Sequence, residues 1–467
     1  MKKILLFITF FYSVLAFSQD GTIDPTFNVG SGADENVYIT KQLSDGKIIV
    51  GGQFMDFNGT GKRSLVRLNA DGSIDQTFTS PPELFDYSLL LDALEDEGKL
   101  LIVGQFGVFN GFSSPGIIRL NQDGMPDTSF NTGTGPSGNG VIDVEQISKQ
   151  NDKYIITGSF PGFNGIPCGN IIRLNADGSV DTTFSSLYSN AGYNIAIIAH
   201  RVLDNGKILI VGNFTTYNGV PVGGIARLNP DGTLDTTFNP TTGSNGSINS
   251  IAVQPDGKYI ISGRFSTFNN VDKLLLARIN PDGTLDNTFS RSPDYGLVAS
   301  SLLLQPDGKI IAAGSSTGLS VANKYIMRLN QDGSIDTSFD SDIDNMINTA
   351  SFQNDGKILA GGWFEHAGGE EKNRVARLNN NGFLDTKAFS SGAAIYPNPV
   401  VNNIHVDFDN FEDRNIIVTD LSGKQIQNIS HKAGKRITVD FSDYQKGIYF
   451  LQIESKTGTV TKKIIKN

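Results

Sequence analysis

The stretch Arg67-Leu68-Asn69-Ala70-Asp71-Gly72-Ser73-Ile74-Asp75-Gln76-Thr77-Phe78 decides how the chain is read. Its pattern, Arg-Leu-Asn-x-Asp-Gly-x-x-Asp-x-x-Phe, returns at Arg119–Phe130, Arg173–Phe184, Arg227–Phe238, Arg278–Phe289 (with Ile279 for the Leu) and Arg328–Phe339. A degenerate copy, Arg377–Phe389, carries Asn381 for the Asp and one extra residue, and half a copy, Asp20–Phe27, stands near the start. The glycines of these copies lie 49 to 54 residues apart, so eight signatures enclose seven units. A period of that length signals a solenoid, a propeller or an array.

Each unit holds a second motif, such as Asp45-Gly46-Lys47-Ile48-Ile49-Val50-Gly51-Gly52 or Asp256-Gly257-Lys258-Tyr259-Ile260-Ile261-Ser262-Gly263. Asp-Gly between short apolar strings is a hairpin turn, because both residues tolerate positive φ. No window carries a helical period. The reading is all-β: a seven-bladed β-propeller of four-stranded antiparallel blades, followed by a small β-sandwich domain. A single unit cannot bury both faces of its sheet, and seven arranged radially can. An open solenoid would need polar capping units, and the half-motif at residues 20–27 instead suits a strand that completes the last blade and holds a ring shut. The lysines of the second motif, such as Lys47, Lys99, Lys153 and Lys207, read as exposed turn residues.

Export is written at the N-terminus. Lys2 and Lys3 precede an apolar run, Ile4 to Phe17, that is too short to span a bilayer as a helix. A cut after Ser18 is expected, and Gln19 stands where a lipoprotein would carry Cys. The expected domains are 1–18 signal peptide, 19–390 propeller and 391–467 a separate small domain. The one cysteine, Cys168, offers no internal disulfide. The formal charge of −10 and the mildly basic tail make the repeat body acidic, which disfavours nucleic acid and anionic membranes as partners. No later segment could cross a membrane as a helix.

The repeats resemble the delta-60 family of β-propeller repeats of large exported bacterial proteins, over roughly Asp20 to Phe389. That family is defined by its repeat, so the resemblance implies a fold rather than an activity. The tail resembles the type A sorting domain of the type IX (Por) secretion system of Bacteroidetes. The residues that carry this are Tyr396-Pro397-Asn398-Pro399, the strand from Gly447 through Tyr449, and the basic end with Lys462, Lys463 and Lys466. The resemblance implies export across the inner and then the outer membrane. The secretion machinery is then a partner, and the product is secreted or associated with the outer-membrane surface.

Asn69, Asp71, Gly72 and Asp75 match four positions of a calcium loop, but Arg67 and Phe78 then occupy its first and twelfth ligand positions. An Arg repels a cation and a Phe supplies no oxygen, so the motif reads as scaffold: Asn and Asp capping turns, and Arg paired with a motif Asp. No catalytic constellation, metal site or cofactor motif is present in the sequence. Function is therefore sought where the copies differ. The residue after the second motif's last Gly varies and includes Gln53, Gln105, Asn213, Arg264 and Trp363. Trp363 with Glu365 and His366 offers a flat apolar plate beside hydrogen-bonding groups, suited to a sugar or peptide. The leading expectation is an extracellular or cell-surface binding or scaffold protein for a glycan or envelope protein. The alternatives are a glycan-degrading enzyme on the same scaffold and a structural adhesion module.

Overall fold

The computed structural model describes residues 19–79, 88–109, 111–138, 142–185, 196–318, 324–380, 393–396, 400–408, 413–420, 424–432, 434, 436–455 and 458–466. The expected signal peptide and Pro397, Asn398 and Pro399 lie outside them. The chain divides into two compact units, Met1–Phe383 and Leu384–Asn467.

The first unit is a ring of seven three-stranded antiparallel sheets, five of them with a two-residue hairpin between the second and third strands. Blade 1 is Val37–Gln42, Ile48–Gly52 and Leu65–Leu68, and blade 7 is Ile347–Phe352, Ile358–Gly362 and Val375–Leu378. In blade 1 an Asp-Gly turn joins the first two strands: Gly46 N–H donates to the Leu43 carbonyl, and Asp45 Oδ1 accepts the Lys47 N–H. The second and third strands are buried along their whole length in blade 1, because neighbouring blades cover both faces of each sheet. Apolar clusters accordingly run across blade boundaries. Ile39, Ile49 and Phe78 of blade 1 pack with Leu90, Ile102 and Ile118 of the next.

The fourth strand expected in each blade is reduced to one antiparallel bridge, such as Leu68 with Ile74. Its brevity has a local cause. Asp75 N–H still pairs with the Arg67 carbonyl, but Asp75 Oδ1 then accepts the Thr77 N–H and hydroxyl at 3.0 and 2.7 Å. That turn takes the backbone out of the ladder.

The motif Arg is the rivet of the ring. Arg67 Nε donates to Asp75 Oδ2 at 2.7 Å, its Nη1 to the Gln122 carbonyl of the next blade at 2.5 Å, and its guanidinium lies 4.7 Å from the Phe78 ring centre. Beside it the Thr79 N–H donates to the Asp123 carbonyl across the same boundary. The glycine of each motif sits against this junction. Gly72 has φ +93°, and a Cβ there would lie 2.7 Å from the Asn28 carbonyl oxygen, so no other residue fits without moving the neighbouring blade.

Blade 7 takes its outer limb from the other end of the chain. Ile23 bridges Leu378, and Asp24 N–H donates to the Arg377 carbonyl. Arg377 Nε pairs with Asp24 Oδ2 at 2.7 Å and its guanidinium stacks on Phe27 at 4.7 Å. The half-motif thus repeats, piece for piece, what Asp75 and Phe78 do in blade 1, and the ring closes without a covalent staple.

The second unit is a sandwich of a three-stranded and a four-stranded antiparallel sheet. Val406, Ile416, Val439, Leu451 and Ile464 are among the side chains buried between them. The first strand is Ala393–Tyr396.

Candidate functional site

The second-motif lysines are corrected by the structure. They are not free turn residues. Lys47 Nζ reaches Asp75 Oδ2 at 3.0 Å, and Lys99, Lys153 and Lys207 reach Asp127, Asp181 and Asp235 at 2.6, 2.8 and 2.8 Å. Each motif Asp therefore holds an Arg and a Lys at once. Burial works against the Asp75 carboxylate, and hydrogen bonds from Thr77, Lys47 and Arg67 more than offset it, leaving its pKa well below the ordinary value. In blade 7 the same double pairing falls on Asp24, with Lys357 at 2.8 Å.

The variable position chosen from the sequence lies opposite the start of each first strand. Gln53 N–H donates to the Asn36 carbonyl, and Gln105 pairs with Leu89. Asn213 Oδ1 accepts the Ala196 N–H at 2.6 Å, and Arg264 pairs with Ser247. Gln53 and Gln105 are half-buried, while Asn213 and Arg264 are exposed. These four stand one per blade at equivalent places, so they are distributed around one face of the ring and do not converge. Trp363, Glu365 and His366 do form one patch on blade 7. Trp363 is 49% exposed. His366 Nδ1 lies 2.9 Å from Asp344 Oδ2, Glu365 N–H donates to Asp344 Oδ1, and Glu365 Oε1 stands 3.5 Å from Arg374 Nη1. Burial raises Asp344, but hydrogen bonds from His366 and Glu365 outweigh it, so its carboxyl sits below the usual range.

A second set of variable residues was not legible from the sequence. In every blade the first strand carries a β-bulge against the second, between Val37 and Ile39 in blade 1 and between Val144 and Gln146 in blade 3. The extra residue is Tyr38, Leu91, Glu145, Ile198, Asn249, Ser300 or Asn348, and all seven line a cavity on the propeller axis. The bulge explains the glycine that closes the second motif: a Cβ on Gly52 would lie 2.1 Å from the Asn36 carbonyl oxygen, where the bulged strand bends over it.

First strands present an unpaired edge to this cavity, and side chains satisfy much of it. Asp92 Oδ2 accepts the Ile147 N–H at 3.1 Å, Gln146 Oε1 accepts the His200 N–H at 2.6 Å, and Ser301 Oγ accepts the Ala350 N–H at 3.0 Å. In the other direction Ser250 donates to Ala299, Ser300 to Ile347 and Ser351 to Thr40 carbonyls. Two basic side chains, Lys41 and Arg201, and two carboxyls, Asp92 and Glu145, join them from blades 1 to 4. Burial raises Asp92, and it pushes Glu145 up to about 7 with help from Asp143.

Two reactive residue types are accounted for by packing. His200 is buried between the hydroxyls of Ser148 and Thr157, at 2.5 and 2.8 Å. Burial, with Arg201 beside it, lowers its pKa to about 3, which makes it a weak base for activating Ser148 at neutral pH. Burial pushes the Cys168 thiol up to about 12, so it is not a nucleophile.

In the second unit Gly447, Tyr449, Lys462, Lys463 and Lys466 fall on one hairpin, Gly447–Ser455 with Gly458–Lys466. Tyr449 lies against Phe441 and Tyr444 at 5.8 and 5.2 Å. The basic strand is an outer edge of its sheet, yet Lys466 is buried and its ammonium donates to the Val401 carbonyl. Tyr396 pairs with His405 in the other sheet.

Comparison with known proteins places this architecture. The units match the β-propeller described as domain of unknown function DUF5122, at residues 43–78, 97–130, 149–184, 203–238, 254–289, 305–339 and 353–387, together more than half of the chain. The chain belongs to this β-propeller family. Residues 394–467 match the secretion system C-terminal sorting domain. The protein is thus an exported propeller, secreted or associated with the outer-membrane surface, with a tail that engages the translocation machinery. Among solved structures it is similar to the WD40 β-propeller domain of Doa1, at 15% identity over 80% of this chain and 99% of that one, TM-score 0.48. It is also similar to the extracellular domain of BT4673 from B. thetaiotaomicron, at 14% identity over 94% of this chain and 58% of that one, TM-score 0.46. Apo AztD from Citrobacter koseri is similar at 13% identity over 87% and 97%, TM-score 0.23. At these scores the likenesses carry no functional argument. No curated protein matches the chain at a significant level.

Proposed function

We propose that the ring is a delta-60-type propeller that binds a glycan or an envelope protein through its blade 7 patch. The C-terminal unit is then a type A sorting domain of the type IX secretion system. The observation that carries the binding reading is Trp363. An indole left 49% exposed, at a place flanked by Glu365 and by a His366–Asp344 pair, gains by being covered. Its ring supplies a stacking plane and the neighbouring groups supply direction, which is how a polar ligand with an apolar face is held.

A polysaccharide array probed with the propeller tests this. Saturable binding that Trp363→Ala abolishes supports the reading. Binding unchanged by that substitution refutes the patch, and release of cleaved product would favour an enzyme instead. For the tail, deletion of residues 396–467 is expected to leave the protein in the periplasm, and normal appearance in the medium would overturn its assignment.

A further inference from the structure

The axial cavity has a volume of about 510 Å³, within the range of small-molecule sites. Its wall is unequal. Blades 1 to 4 bring Lys41, Asp92, Glu145 and Arg201 to it, while blades 5 to 7 bring serines, a threonine and asparagines. Lys41 and Arg201 occupy the same level, since Lys41 pairs with Ile49 and Arg201 with the equivalent Leu209.

Both cations hold donors in reserve. Arg201 Nη1 donates to the His200 carbonyl at 2.8 Å, and among the described residues its Nε and Nη2 meet no acceptor. Lys41 Nζ donates once, to the Ala93 carbonyl at 2.7 Å, and an ammonium has three donors. Neither forms a salt bridge among the described residues. Asp92, which both cations feel, is held instead by the Ala93 and Ile147 N–H groups at 2.8 and 3.1 Å. In blades 5 to 7 the Ser250, Ser300 and Ser351 hydroxyls direct their protons into backbone carbonyls, which leaves their oxygens as acceptors. The cavity thus offers unused cationic donors on Lys41 and Arg201, beside the Asp92 and Glu145 carboxyls, and serine oxygens that remain acceptors.

We infer that the propeller axis is a binding site for a small organic carboxylate whose remaining groups donate hydrogen bonds. The carboxylate docks on the Arg201 fork, whose planar geometry matches it, with Lys41 as the second cation. Hydroxyl or ammonium groups at the ligand's far end meet the serine arc. A hydroxy acid and an amino acid both have this chemistry. This site is separate from the blade 7 patch and does not depend on it.

Calorimetric titration of the full protein with glucuronate, glutamate and the neutral amide of glucuronate tests the inference. Saturable binding of at least one of the two carboxylates is expected, with none of the amide, and the responding acid identifies the ligand type. Arg201→Gln and Lys41→Met are each expected to weaken it about tenfold or more, as befits loss of a charged hydrogen bond. Trp363→Ala is expected to leave it unchanged, so failure here and failure of the blade 7 reading are separable. The inference is overturned if neither carboxylate binds, if the amide binds as tightly as the acid, or if Arg201→Gln binds like the wild type. Circular-dichroism melting checks the variants, and should both misfold, the acid-to-amide comparison on the wild type still decides.

Discussion

Asp24→Asn removes one charge from the joint that closes the ring and keeps its shape. Asp24 Oδ2 receives Arg377 Nε at 2.7 Å and Lys357 Nζ at 2.8 Å. The Asp24 and Arg377 side chains are 3% and 7% exposed, so the substitution leaves a buried guanidinium with no anion. Removing one partner of such a pair costs about 3–5 kcal/mol. Arg377 keeps the Ala70 carbonyl at 2.7 Å and the Thr26 hydroxyl at 3.0 Å, which puts the expected loss near the lower end, about 3 kcal/mol. Asp181→Asn in blade 3 breaks a pair of like burial, with Arg173 at 2.6 Å, and is expected to cost about the same. The two variants should differ in where they open. The limb of Asp181 is continuous with both of its neighbours. That of Asp24 is held to blade 7 by three backbone bonds of 2.8 Å, from Gly21 to Asn379, Asp24 to Arg377 and Asn379 to Thr22. Those three contribute about 1 kcal/mol each, comparable with the loss imposed. Hydrogen exchange read by NMR should therefore show the Gly21, Asp24 and Asn379 amides about a hundredfold faster in Asp24→Asn, since every 1.4 kcal/mol is tenfold. If these amides stay within tenfold of the wild type, or if Asp181→Asn accelerates them equally, the closure argument is wrong.

Two further outcomes follow from the buried carboxylates. Glu145 holds its proton more tightly when folded, near 7 against an ordinary 4.5, so stability is expected to fall as pH rises between those values. Glu145→Gln should flatten that slope, raising stability at pH 8 by about 2 kcal/mol in urea titrations, and an unchanged slope would count against the channel environment described. The paired aspartates, Asp24 and Asp75 among them, titrate below their unfolded value, so what they contribute is complete above pH of about 4 and lost below it. In a Glu145→Gln background the urea midpoint should therefore fall gradually from pH 7 to 5, as the unfolded chain protonates His200 and the folded one does not, and drop more steeply under pH 4. A midpoint that stays level down to pH 2.5 would contradict the pairing.

The repeat pattern made the ring legible because its regular residues are the ones that join blades. Arg67, Asp75 and Phe78 recur because every boundary needs the same rivet, and Asp20–Phe27 could be recognised as a detached piece of it. The pairing of the lysines is not legible because a turn residue and its partner Asp lie 28 residues apart, as Lys47 and Asp75 do, and no local pattern links them. The axial site was hidden for a different reason. Which residue faces the channel depends on a bulge, a matter of register between strands rather than of residue type, and Tyr38, Glu145 and Ser300 share no chemistry. The only trace in the sequence is the invariable glycine at the end of the second motif, whose missing Cβ makes room for the bulged strand.

The joint between Asp24 and Arg377 also counts blades. Every other motif Arg finds its motif Asp 8 residues away, whereas this pair is separated by 353. In an unfolded chain the longer loop adds about 3 kcal/mol of closure entropy. With the intervening sheets assembled, the two ends already lie side by side and that penalty disappears. A chain stopped one repeat short would have no Arg377 to offer, and a surplus repeat would carry it past its partner. Completion is thereby sensed by the ionic contacts of Asp24, and a circular permutant with residues 19–27 placed after Asn380 would turn this census into an ordinary local pairing.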